Sequence, residues 1–270
     1  MNKLLQHIYY PLREIKNNRI YKSLGIKGSE IKRLKRGIGD KKTSLFGVNI
    51  EITNFFWYLH SLNELFLDKT YAFNSDKKDP IILDCGANIG LSAIFFKRNY
   101  PEAKITAFEA DPMIAKVLNN NLHAFGYDDV QIVPKAIWID NTTLNFESDG
   151  SLGGHIVETN EENSTQNQIQ AVRLKDYLKG EIDFLKVDIE GVEYEVLMDC
   201  KEKLKNVKNL FIEYHSFLQN DQKLDEILLL LKKAGFRYYI KEAWNNQPMP
   251  FIDSRKSHYD LQLNIFAYRL

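Results

Sequence analysis

Cysteine is scarce: Cys85 and Cys200 are the only two in 270 residues. Two isolated thiols give neither a disulfide framework nor a C-x-x-C motif, so both read as reduced packing residues of a cytoplasmic protein. The sequons at Asn141 and Asn163 then carry no meaning, because glycosylation belongs to the secretory route. No apolar run approaches the roughly 18 residues that span a bilayer. The N-terminus lacks the continuous apolar core of a secretory signal. The dinucleotide fingerprint G-x-G-x-x-G/A is also missing, with Asn88 and Leu91 where it asks for small residues. The target-base motif NPPY is absent as well.

Net charge is lacking too, but only in sum. Residues 1–42 hold twelve Lys or Arg against Glu14, Glu30 and Asp40, a net of +9 that the rest of the chain balances with −9. A basic arm of this kind could touch an anionic membrane surface or glycan. The simpler reading is a solvated helical arm that docks on its own acidic body or on a second subunit, which would make the protein a homo-oligomer.

What is present is organised around residues 81–96, IILDCGANIGLSAIFF. They read as a buried strand with Asp84 at its end, a tight turn carrying Gly86, Asn88 and Gly90, and an apolar helix. A strand, a glycine turn and a helix in that order present backbone N–H groups at the carboxyl edge of an open α/β sheet. Asp84 would repel a pyrophosphate there and suits a cationic ligand. S-adenosylmethionine, with its sulfonium and α-ammonium groups, fits. The next strand, 104–108, ends in Glu109, placed to accept both ribose hydroxyls.

From residue 80 strand and helix alternate, the sign of a doubly wound parallel sheet. The expected strands are 81–83, 104–108, 130–133, 182–187, 209–212, 236–240 and 261–268, the last with the period-two alternation of an antiparallel member. A strand pair is expected near 136–139 and 143–147, a mobile polar stretch over 159–168, and a short helix over 173–178. Before the sheet, residues 1–75 form an N-terminal segment of helical arm, short strand (48–52) and apolar helix (55–67), leaving 76–270 as the main domain. The aromatics at 55–58 read as core or lid packing, or as rings against a ligand, and Glu64, on the polar side of its helix, as a solvated acid ahead of one that faces the cofactor. The loop 243–259, with Trp244 and His258, has the length of a substrate cover.

The set LDCGANIG (83–90), AFEADP (107–112), KVDIEG with EYEVL (186–197) and FIEYH (211–215) resembles the FkbM-type S-adenosylmethionine-dependent methyltransferases over roughly residues 80 to 215. The resemblance implies a Rossmann-like seven-stranded sheet, mostly parallel with the last strand antiparallel, and O-methylation of a hydroxyl, often on a sugar or natural product. It implies that Asp84, Gly86, Asn88 and Gly90 hold the methionine end of the cofactor. Glu109 would bind the ribose, and Ala110 and Asp111 would lie beside the adenine, with Lys135 to Ile137, Ala136 among them, closing over it.

Methyl transfer to an alcohol needs alignment and a way to remove the hydroxyl proton. The ends of the fourth and fifth strands offer Asp188, Glu190, Glu213 and His215. Either His215 or Asp188 acts as general base, or Asp188, Glu190 and Glu213 hold a divalent ion such as Mg²⁺. In the bland alternative Glu190 and Glu213 only brace loops or pair with Lys186. His155, beside Gly153 and Gly154, is a further base candidate. The acceptor is expected to be a small molecule or glycan. An RNA methyltransferase is disfavoured by the acidic body, and a cofactor-binding module without turnover by the intact acids at three strand ends.

Overall fold

The computed structural model describes residues 20–147, 155–156, 167–253 and 258–269. Short runs rich in Ile, Leu, Val and Phe build its central sheet. Ile81–Cys85 (β3) is buried at four of five positions and Ile182–Val187 (β10) at all six. Strands covered on both faces in this way belong to parallel sheets. With Lys104–Phe108 (β4), Gln131–Val133 (β5), Val207–Phe217 (β11), Arg237–Trp244 (β12) and Tyr259–Tyr268 (β13) they form a seven-stranded sheet of order β12-β13-β11-β10-β3-β4-β5. The pairs β10/β11, β10/β3, β3/β4 and β4/β5 are parallel. Only β13 runs the other way, antiparallel to both β11 and β12. The expected α/β sheet with its last strand antiparallel is therefore present. Because β12 points the same way as β11, its end at Trp244 lies on the same edge as the carboxyl ends of β3, β4 and β10.

Three helices follow strands as expected. Leu91–Asn99 follows the glycine turn, and Pro112–Ala124 starts at an Asp111 N-cap whose carboxylate accepts from the N–H groups of Met113 and Ile114, a standard N-terminal arrangement. Glu193–Asp199 follows β10. Before the sheet come Gly28–Arg36 (α1), the hairpin Lys42–Leu45 (β1) with Val48–Glu51 (β2), and Phe55–Leu62 (α2). The Asn54 side chain caps α2. The helix continues as a single π turn over Asn63–Leu67, a widening often found at functional sites. Tyr21, Leu34, Leu62 and Tyr71 share one core with Ile82, Ile94, Phe96 and Phe184, so no gap in packing separates the two sides of residue 75.

Two expectations need correction. Ala136–Trp138 (β6) and Thr143–Glu147 (β7) do not pair with each other. Asn167–Arg173 (β9) lies between them, parallel to β6 and antiparallel to β7, which also pairs with His155–Ile156 (β8). The polar stretch before β9 masked its alternation, in which Gln168 and Gln170 are exposed while Ile169 and Ala171 are buried. The fifth strand, β11, runs on to Phe217, so Glu213 and His215 lie within a strand, on one face of it.

The start of the basic arm (residues 1–19), Gly153, Gly154 and the side chain of His155 lie outside the described residues. Among the described residues no helix is long and apolar enough to cross a membrane.

Candidate active site

The turn after β3 is built so that side chains cannot enter it. Gly86 has φ +86°, and a Cβ there would sit 1.9 Å from the carbonyl oxygen of Asp188. Asn88 also takes a left-handed conformation, φ 47°, which asparagine tolerates better than most residues. The N–H groups of the turn are consumed by the protein. Those of Gly86 and Ala87 donate to the Phe108 carbonyl, that of Asn88 to Glu109 Oε2 (2.8 Å), that of Ile89 to the Asn88 side chain, and that of Gly90 to Ala87. The turn therefore does not present a nest of free donors, and its unsuitability for phosphate comes from that.

Asp84 is the second correction at this turn. It is fully buried, accepts a hydrogen bond from Ser92 Oγ, and lies 3.5 Å from Lys186 Nζ. It does not line the cavity that opens at the sheet edge, and neither does Gly90. Gly90 instead lets Leu118 approach, since a Cβ there would meet its Cδ1 at 2.8 Å. Gly86, Asn88, Glu109, Ala110, Asp111 and Ala136 do line the cavity, as do Lys135 and Ile137. Both Glu109 oxygens accept backbone N–H groups, from Asn88 and from Asp111 (2.9 Å). Burial raises its pKa to about 7, these two bonds notwithstanding.

At the other end the cavity meets a cluster of acids. Asp188, Glu190 and Glu213 line it, and so does Glu64 from the π turn. Burial, then the charge of Asp188, raises Glu64 to about 7 and Glu213 well above the ordinary carboxyl range. Asn264 Nδ2 lies 3.4 Å from Glu64 Oε1. Two cations hold the cluster together. Lys186 Nζ donates to the Gly86 carbonyl at 2.7 Å and lies 3.1 Å from Asp188. Although burial works against its charge, Asp188 and Asp84 keep its pKa above the usual lysine value.

The second cation is His215. It is buried and off the cavity wall, with Nδ1 3.1 Å from Glu193 and Nε2 3.5 Å from Glu190 and 3.6 Å from Glu213. Burial alone would lower its pKa, but Glu190 and Glu193 outweigh that and raise it well above 6.5. His215 thus stands behind the carboxylates and not on the cavity wall, a place that suits a positioning residue better than the general base expected of it. Loop bracing, expected of Glu190 and Glu213, falls to Glu193, whose Oε1 accepts from the N–H groups of Ile189 and Gly191.

The metal expectation shifts as well. Among the described residues the donors that converge within 4.8 Å are Asp188, Glu213 and His215, not Glu190. With an imidazole nitrogen among the three donors and the Lys186 ammonium 3.1 Å from Asp188, these residues do not fit a Mg²⁺ cage of hard oxygen ligands.

Sequence reasoning passed over Lys186 as the hub, and over His60 and Ser61 on the cavity wall; Glu64 and Trp57 also line it, Glu64 on the less favoured of its two readings. The spacing 57, 60, 61, 64 was the available signal: one helical face carrying polar groups inside an apolar run. His60 is kept neutral, burial lowering its pKa.

The profile of the family described as the methyltransferase FkbM domain matches residues 84–238. Methyltransferase sdnD of Sordaria araneosa is 32% identical over 189 residues, covering 56% of this chain and 72% of that protein. The 2-O-methyltransferase NoeI of Sinorhizobium fredii is 28% identical over 177 residues, covering 58% of this chain and 70% of that protein. Among solved structures, methyltransferase FkbM from Methylobacillus flagellatus KT aligns with a TM-score of 0.48 and 13% identity, covering 78% of this chain and 52% of that one. The match to the family profile spans more than half of the sequence and contains the glycine turn, Glu109 and the Asp188–Glu213 acids. The chain belongs to the FkbM family of S-adenosylmethionine-dependent methyltransferases.

Proposed function

We propose that the protein methylates a hydroxyl group of a saccharide or related natural product. The observation that supports this most is the make-up of the cavity wall: the carboxyl groups of Glu64, Glu109, Asp111, Asp188, Glu190 and Glu213 outnumber the amines of Lys135 and Lys186, although burial raises the pKa of Glu64, Glu109 and Glu213. Such a wall attracts a cationic ligand and repels polyphosphates and nucleic-acid backbones. A relative that is named a 2-O-methyltransferase agrees with oxygen as the acceptor atom.

In this reading Glu109 receives the ribose hydroxyls on the lone pairs its backbone donors leave. Ala110, Asp111 and Ala136 flank the adenine, and Gly86 and Asn88 face the methionine end. Asp84 and Gly90 act from behind, one anchoring Lys186 and the other packing the helix. When bound, S-adenosylmethionine supplies an electrophilic methyl group on a positively charged sulfur. The protein must then orient the acceptor oxygen and take its proton. Glu213 stands on the cavity wall, and burial beside Asp188 raises its pKa, so its ionised form is a stronger base than an ordinary carboxylate. Asp188, 3.1 Å from Lys186 Nζ, faces the cationic end, while His215 fixes Glu213.

Calorimetric titration with S-adenosylmethionine and S-adenosylhomocysteine tests the first half of this reading, and micromolar binding is expected. Incubating glycan extracts of the producing cell with labelled cofactor, followed by mass spectrometry, tests the second. Label appearing on nitrogen, or on RNA, would sink the acceptor assignment.

A further inference from the structure

Four aromatic rings meet at the mouth of the cavity, drawn from opposite ends of the chain. Phe56, Trp57 and His60 come from α2, and Trp244 closes β12. The Trp244 ring centroid lies 5.8 Å from Trp57, 6.0 Å from Phe56 and 5.7 Å from His60. Trp57 and His60 reach the cavity wall, yet Phe56 is 55% and Trp244 41% exposed. Large rings left in water beside a binding cavity are unlike scattered surface apolar residues, because they are contiguous and continue an established site.

We infer that these rings are the acceptor subsite and that they seat the pyranose ring of a neutral saccharide. The inference rests on the hydroxyl-methylating reading above. A pyranose has a face of C–H bonds, weakly positive, which complements the negative face of an indole, and a rim of hydroxyls that must find partners. Thr53, Asn54, His60 and Ser61 place hydroxyl, amide and imidazole groups on the adjoining wall, and the neutral imidazole can both donate and accept. Beyond them stand Glu64, Asp188 and Glu213, which repel an anionic acceptor. The rings brace one another edge to face, which leaves Phe56 and Trp244 with open apolar surface at 55% and 41% exposure. The flat, neutral, polyhydroxylated acceptor is the one that satisfies both halves.

The test uses the full chain. S-adenosylhomocysteine is first titrated by calorimetry. With that ligand bound, saturation-transfer NMR is run on methyl glycosides of common neutral pyranoses and on neutral di- and trisaccharides. Tetramethylammonium and a medium-chain fatty acid serve as contrasting probes. At least one glycoside should receive saturation on its ring C–H protons. In Trp244→Ala its binding should weaken about tenfold, as for an aromatic anchor, with Trp244→Phe recovering most of it. Because Trp244 does not line the cavity, S-adenosylhomocysteine should bind Trp244→Ala within about twofold of wild type; this also shows that the variant is folded. A chain that binds S-adenosylhomocysteine but transfers saturation to no glycoside overturns the inference and leaves the methyltransferase reading standing. So does equal glycoside binding by Trp244→Ala, or capture of the ammonium or fatty acid instead. Failure to bind S-adenosylhomocysteine at all would strike down the parent reading and this one with it.

Discussion

The two ends of the cavity hold their carboxylates by opposite means. Glu109 meets backbone N–H groups, those of Asn88 and Asp111. Glu64, Asp188 and Glu213 meet one another, and their mutual repulsion is relieved by Lys186 and His215. One end is organised by local chain geometry, the other by side chains on strands and helices far apart in sequence. Backbone donors cannot be mutated away, whereas each ion pair depends on a single side chain. The acid end is thus where the protein is both most tunable and most fragile.

The sharpest way to break the comparison is to remove the lysine that joins the two ends. Lys186→Met leaves Asp84 and Asp188 without their buried counter-charge. That should cost about 3–5 kcal/mol and lower the thermal midpoint by about 10 °C, read by calorimetric or circular-dichroism melting. A loss of only a degree or two would mean that the pair contributes little. Glu109→Ala acts at the other end and removes the acceptor of two N–H groups. Stability should fall less, but affinity for S-adenosylhomocysteine should drop roughly 100-fold, and unchanged calorimetric affinity would refute the ribose role.

A gentler test uses pH. In the folded chain Glu64 and Glu109 keep their protons to about pH 7, against 4.5 for a free glutamate. The folded state binds more protons across that window, so stability falls as pH rises through it, by up to about 1.4 kcal/mol per pH unit for each group. His215 adds the same sign: its raised pKa gives stability that is complete below 6.5 and is lost as pH climbs through the folded value. The ligand-free midpoint should therefore be higher at pH 5.5 than at pH 8. Glu64→Gln, the smallest effect, should raise the midpoint by a few degrees at pH 8 and leave it unchanged at pH 5. An identical pH profile for the variant would remove Glu64 from the proton count.

The same contrast explains what could be read in the residues alone. Asp84, the glycine turn and Glu109 form a local pattern, and the seven strands follow from runs of Ile, Leu and Val, so the sheet and the cavity end beside the glycine turn were legible. The direction of Asp84 was not, because burial behind Ser92 depends on a helix packing over the strand. Nor was the setting of His215, which needs Glu190 and Glu193, from the segment after β10, brought against β11. Strand β9 was hidden because its exposed face is glutamine and its neighbours are polar. Glu64 read more readily as solvated because its helical face, shared with Trp57, His60 and Ser61, shows as a cavity wall only once the sheet edge packs opposite it.

The rings at the mouth lie outside the stretch that matches the family: Phe56, Trp57 and His60 precede residue 84, and Trp244 follows residue 238. On the acceptor reading proposed above, acceptor choice is therefore written on either side of the family-matched stretch, and exchanging residues 53–62 and 240–246 between two such enzymes is a route to new selectivity that spares Glu64 and the glycine turn.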